Sequence, residues 1–101
     1  MKLIINNKEF DSGKLIRNKY KKYSEIRDEL INKEKYTDED LEKMVLVLVA
    51  IFDNQFTEDD INNEFEVSDI IYNFMRIDVE IMQKLDKKIE ETNKILLAEK
   101  K

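Results

Sequence analysis

Thr37-Asp38-Glu39-Asp40-Leu41-Glu42-Lys43-Met44-Val45-Leu46-Val47-Leu48-Val49-Ala50-Ile51-Phe52 decides the fold of this chain. Its last nine residues, 44–52, are apolar without interruption. The alternating valines would suit a buried strand, because periodicity alone cannot decide a continuous apolar run. What precedes the run favours a helix. Thr37 is a capping residue, and the three acids after it suit the positive end of a helix dipole. Leu41 continues the apolar pattern, so a helix is expected over residues 38–53. A helix apolar on all sides belongs at the centre of a core.

On its C-terminal side, Asp53, Asn54, Gln55 and Phe56 read as a loop, and Thr57-Glu58-Asp59-Asp60 repeats the cap followed by acids. A short helix should then run to about Phe65. Ser68 and Asp69 are expected to cap a long last helix with apolar positions at Ile70, Ile71, Phe74, Ile77, Ile81, Leu85, Ile89 and Leu96. About 30 residues of helix from Asp69 would span ~45 Å. A compact chain of this size has a radius of gyration of only ~13 Å, so the helix end should overhang the body.

On the N-terminal side, Ile16, Tyr20, Tyr23, Ile26 and Leu30 recur at helical steps, which predicts a helix over residues 14–33. Leu3-Ile4-Ile5 and Lys8-Glu9-Phe10 flank Asn6-Asn7. Asn tolerates the positive φ of a type I′ turn, so residues 1–12 read as a short β-hairpin. Such a hairpin is marginal alone and must lie on the helices. The expected architecture is a single, mainly α domain over residues 1–101. A short N-terminal hairpin leads into about four helices over residues 14–98, the last one long. No linker or internal repeat interrupts it.

Composition excludes most chemistry. The 101 residues carry 18 Lys and Arg against 23 Asp and Glu, a formal net charge of −5, with one Gly and no Cys, His, Pro or Trp. Without Cys there is no disulfide framework, thiolate chemistry or zinc ribbon. Without His the usual neutral-pH proton shuttle is missing, and Gly13 alone cannot form a phosphate-cradling loop. The charge is segregated: +4 over residues 1–35, −10 over residues 36–75 and +1 over residues 76–101. The acid therefore coincides with the apolar centre. The start Met1-Lys2-Leu3-Ile4-Ile5-Asn6 is too short for a signal-peptide core. The nine-residue apolar run falls well short of the ~20 residues of a membrane span. A soluble, cytoplasmic protein is expected.

The acids cluster at helix starts, where capping explains them better than the split pKa values that paired catalytic carboxylates need. A calcium loop starting at Asp53 would use Gln55, Thr57, Asp59 and Glu64, but Glu58 stands where that loop needs Gly. Lys14, Arg17, Lys19, Lys21, Lys22 and Arg27 make a basic helix, yet Tyr20 and Tyr23 lie on its apolar stripe and the chain is acidic overall. No catalytic residue, metal ligand or cofactor is expected, and neither is an enzyme. Met82, Leu85, Ile89, Thr92 and Leu96 recur at steps close to a coiled-coil seam. That seam fits an intramolecular packing face or an arm for a partner helix.

Residues 47–61, Val47-Leu48-Val49-Ala50-Ile51-Phe52-Asp53-Asn54-Gln55-Phe56-Thr57-Glu58-Asp59-Asp60-Ile61, resemble the small tail assembly chaperones of long-tailed bacteriophages. Those proteins share an apolar helix, a short polar loop, then Gln-Phe-Thr and an acidic pair. They also share a stranded start with Asn at the turn and a charged first helix. The family commonly has Gly before the loop Asn and another Gly ending the next helix, where this chain has Asp53 and approximately Glu64. The resemblance implies a protein of the infected host's cytoplasm that binds the long, helical tape measure protein and keeps it soluble. It implies help in recruiting the major tail protein, and absence from the mature virion. Some members are also made as a longer frameshift product.

Coating a long rod takes many copies, and head-to-tail contacts that do not close give an open spiral. Such a homo-oligomer could set the acidic middle of one subunit against a basic outer segment of the next, and would then weaken as salt screens it. The candidate partner-binding residues are Asp53, Asn54, Gln55 and Phe56 in the loop, and Met82, Leu85, Ile89 and Leu96 on the last helix. Neither nucleic acid nor membrane is an expected partner. The alternative is an acidic helical inhibitor or adaptor, DNA-mimic or antitoxin-like, that also acts by binding a protein.

Overall fold

A computed structural model describes residues 1–99. Strands β1 (Lys2–Ile5) and β2 (Lys8–Asp11) pair antiparallel, with Leu3 opposite Phe10 and Ile5 opposite Lys8. Asn6 and Asn7 have φ of 49° and 64°, the left-handed values that a two-residue hairpin turn demands. Leu3 and Ile5 are buried while Ile4 between them is exposed, the alternation of a strand with one covered face.

Four helices follow: α1 (Arg17–Leu30), α2 (Asp38–Ile51), α3 (Glu58–Glu64) and α4 (Val67–Glu99). The apolar run is a helix, and a central one. α1, α3 and α4 all pack on α2, and β1 lies against α3. Met44, Val47, Leu48 and Ile51 of α2 are fully buried. They share one core with Tyr23 and Leu30 of α1, Ile61 of α3, and Phe74, Ile77 and Ile81 of α4. The expected Thr caps are present at both places, and each is a full capping box. Thr37 Oγ1 accepts from the Asp40 N–H while the Asp40 carboxylate accepts from the Thr37 N–H, and Thr57 and Asp60 do the same for α3.

Several boundaries differ from expectation. α1 begins at Arg17 rather than at residue 14. Gly13 takes φ 67°, Ile16 caps the helix in extended conformation without a side-chain bond, and the Lys19 ammonium holds the Ser12 and Lys14 carbonyls in this lead-in. At its other end Ile31 is extended and Asn32 has φ 72°, so α1 stops at Leu30, short of residue 33. Its predicted face is only partly inward, since Ile16 and Tyr20 are exposed. α2 stops at Ile51 because Asp53 and Asn54 are left-handed, each with φ 57°. α4 starts at Val67, ahead of the Ser68 and Asp69 expected to cap it. The Asp69 carboxylate accepts the Glu66 N–H at 3.2 Å from within the first turn.

α1 and α4 are joined by one polar cluster. Asp78 Oδ1 accepts from the Tyr23 hydroxyl and from Arg27 Nε, the latter at 2.6 Å. Burial first, and then the Asp78 carboxylate, push the Tyr23 hydroxyl well above its ordinary value of 10.0.

The expected overhang is present. Core-facing positions of α4 end at Leu85, and residues 86–99 are all exposed yet helical. This arm is ~21 Å long. It stretches the molecule to 57 × 31 × 20 Å and raises the radius of gyration to 15.8 Å. None of the described helices is long and apolar enough to cross a membrane.

Candidate partner-binding surfaces

The loop after α2 is built around a buried lysine. Lys19 is only 7% exposed, and its ammonium donates to Ser12 O at 2.6 Å, Lys14 O at 3.1 Å and Asp53 Oδ2 at 2.9 Å. An ammonium has three donors, and all three are used. That satisfaction is what makes its burial tolerable. Asp53 stands where the resembling family commonly has Gly, and it keeps a left-handed backbone that short polar residues can adopt. Gln55 Nε2 donates to Asp11 O at 2.7 Å, tying the loop to the hairpin. Phe56 is buried, edge-on to Phe10 at 5.1 Å between centroids and tilted against Phe52 at 5.6 Å. Of the four loop candidates, Asp53, Gln55 and Phe56 make contacts that hold the fold together, and only Phe56 is buried.

That loop borders the first of two shallow basins beside α2. The apolar circumference of α2 exceeds what its neighbours cover, leaving Leu41, Leu46, Val49 and Ala50 half-buried. One basin of about 470 Å³ is floored by Leu46, Val49, Ala50 and Phe56, with Asn54 at its edge. A second of about 500 Å³ is floored by Leu41, Val45, Phe65 and Ile70. Glu58 lines both, and the residues that α2 gives them fall between 38 and 50. Asp38, Glu42, Glu58 and Asp59 make the rim acidic, and α1 contributes Lys22.

The second surface lies along α4. Tyr72, Met75 and Val79 line a shallow concavity of about 340 Å³ with Arg76 and Glu80 beside it. Tyr72 is 65% exposed and Val79 52%. With half-buried Met82 they form an apolar stripe alongside the one that fills the core. Leu85, Ile89 and Thr92 line a further shallow concavity of about 230 Å³. Met82 and Leu85 thus sit where the body ends, and Ile89 and Leu96 project on the arm.

The candidate residues therefore fall into two groups that a single chain does not unite. Asn54 and Phe56 meet at the first basin, whereas Met82, Leu85, Ile89 and Leu96 follow α4 away from it. Sequence reasoning missed Leu46, Val49 and Ala50 as a surface, and also Tyr72 and Val79. The signal for the first was an apolar helix with more faces than neighbours. For the second it was the 3, 4, 3 spacing from Tyr72 to Met82. Among the described residues no group of three acidic side chains is placed to hold a metal ion.

These two uncovered apolar surfaces suit a protein that works by binding other proteins. No curated protein and no solved structure matches the chain. A family model described as phage tail chaperone protein matches residues 2–100, nearly the whole length. The chain belongs to the phage tail chaperone family.

Proposed function

We propose that this chain binds the tape measure protein in the host cytoplasm, keeps it soluble, helps recruit the major tail protein, and does not remain in the virion. Family membership supports a role in tail assembly. The observation that carries the client is the stripe of Tyr72, Met75, Val79 and Met82 on the outer side of α4. Contiguous exposed apolar side chains mark an interaction surface more than scattered ones do. A stripe at helical spacing receives another amphipathic helix along its length, and a tape measure protein offers a long succession of these. Two of the four side chains are Met, whose flexible thioether adapts to non-identical partners. The chain's net charge of −5 would keep the coated complex apart from its neighbours.

The test is co-expression with a helical fragment of the tape measure protein from the same phage, comparing soluble fractions. The wild-type chain should raise the fragment's solubility and co-purify with it. Tyr72→Asp and Val79→Asp change exposed side chains, so they should fold normally and lose the effect. Failure of the wild-type chain to solubilise the fragment would refute the reading.

A further inference from the structure

We infer that the outer edge of β1 accepts an extended segment of a partner protein as a third strand, seated in the basin between the hairpin and α4. The register of the hairpin fixes which backbone groups are free for it. Ile5 and Lys8 close the two-residue turn, and the Ser12 N–H donates to Met1 O at 2.8 Å. Odd-numbered residues of β1 therefore bond across to β2, while Lys2 and Ile4 turn their N–H and C=O groups outward. Arg76 Nη2 donates to the outward carbonyl of Lys2 at 2.6 Å. Among the described residues nothing takes the N–H or the C=O of Ile4, whose side chain is 61% exposed. A strand edge with a free donor and acceptor is a template for another strand.

This edge opens onto a concavity of about 730 Å³ with an apolar wall of Ile4, Phe65 and Tyr72. Arg76 pins α4 beside Lys2. Asp69 lies two turns back along α4, ~10 Å, and Asn6 four residues on along β1, ~13 Å. Both line the same basin, so α4 runs beside β1 in the opposite sense. That arrangement sets the chemistry of the occupant. An antiparallel strand lets one residue take both groups of Ile4, with its side chain on the outer face next to Ile4 and Tyr72. An apolar residue fits there. Two positions earlier, the next side chain on that face reaches the end lined by Asp69 and Glu64. Neither acid has an ion pair among the described residues, whereas Lys2 pairs with Glu9 at 3.7 Å and Arg76 with Glu80 at 3.6 Å. The basin holds unmatched acids and no unmatched cation, so it selects Lys or Arg at that position. The occupant is an extended stretch reading cation, any residue, apolar residue. It differs from the client of the α4 stripe, which is a helix, although Tyr72 and Arg76 border both surfaces.

The probe is the peptide acetyl-Thr-Lys-Thr-Val-Thr-amide, titrated to roughly 5 mM into the isotope-labelled chain and followed by amide chemical shifts. The shifts should centre on Ile4 and Asn6 and saturate. N-methylation of the peptide Val removes the donor to Ile4 O and should weaken binding about fivefold. Replacing the peptide Lys by Glu should weaken binding about threefold, and Glu64→Lys, at an exposed position, should reverse that preference. Val79→Asp lies on the stripe and outside the basin, so it should lose the tape measure fragment and keep the peptide. Glu64→Lys should still solubilise that fragment, so the two readings fail separately. Absence of a saturable shift at Ile4 overturns the inference. So do shifts centred on Val79 and Met82, equal binding of the N-methylated peptide, or equal binding of the Lys and Glu peptides.

Discussion

Replacing Asp78 by Ala tests whether the polar cluster, and not only the apolar contacts with α2, fixes α1 against α4. The magnitude follows from who is left behind. Tyr23 is 1% exposed, and removing its acceptor strands a buried hydroxyl at ~1–3 kcal/mol. The Arg27 side chain is 28% exposed and recovers water, so losing its bond costs only ~0.5–1 kcal/mol. Together these give ~1.5–4 kcal/mol out of a total stability of ~5–15 kcal/mol. Tyr23→Phe removes the donor instead and leaves the Arg27–Asp78 pair intact, at ~1 kcal/mol. The double variant Y23F/D78A no longer strands anything, so its loss should fall short of the sum of the single losses by ~1–2 kcal/mol. Urea unfolding followed by far-UV circular dichroism measures all four chains, and equal m-values license the comparison. A loss below ~1 kcal/mol for D78A, or strict additivity in the cycle, would refute the cluster as a determinant of helix placement.

The same hydroxyl predicts alkaline behaviour. Its folded pKa lies above its unfolded value of 10.0, so its contribution is intact below about pH 10 and declines above it. Tyr23→Phe should flatten that decline in a pH series of urea midpoints. At the acid end, the Lys33 ammonium first and the Thr37 N–H second hold the Asp40 carboxyl below its ordinary value of 3.8. Its contribution is therefore present above that value and is lost as pH falls below it. Asp40→Asn should remove this part of the acid dependence. Thr37→Ala breaks one hydrogen bond of the α2 capping box and should cost ~1 kcal/mol in the same assay.

Local rules with short-range partners were legible in the sequence. The caps at Thr37 and Thr57 close within one turn, and Asn6-Asn7 forms its turn from its own two residues, so each could be read without the rest of the chain. The start of α1 was not legible, because Lys19 fixes it by reaching back to Ser12 and Lys14 and across to Asp53. A lysine in a basic run carries no mark of burial. Asp69 does serve the cap, accepting the Glu66 N–H from within the first turn, but the helix begins one residue ahead of Ser68. The arm was legible from length alone, since no body of this size can cover so long a helix. The basins beside α2 were not. An all-round apolar run shows that α2 is enclosed without showing which side its three neighbours leave open, and the second stripe on α4 hides beside the stronger periodicity of the first.

The overhanging arm also changes the thermodynamics of whatever it meets. A separate peptide of about fourteen residues would be mostly unfolded in water, because starting a helix is costly and so short a segment recovers little. Here the nucleus lies upstream in the same helix, where Phe74, Ile77 and Ile81 are clamped in the core. Residues 86–99 need only propagate turns already begun. A partner that grips Ile89 and Leu96 then meets a shape set in advance, and the ordering penalty that weakens coupled folding and binding falls on the core instead. Weakening the core contacts of Phe74 or Ile81 would therefore reach the arm's affinity without touching a residue of the contact.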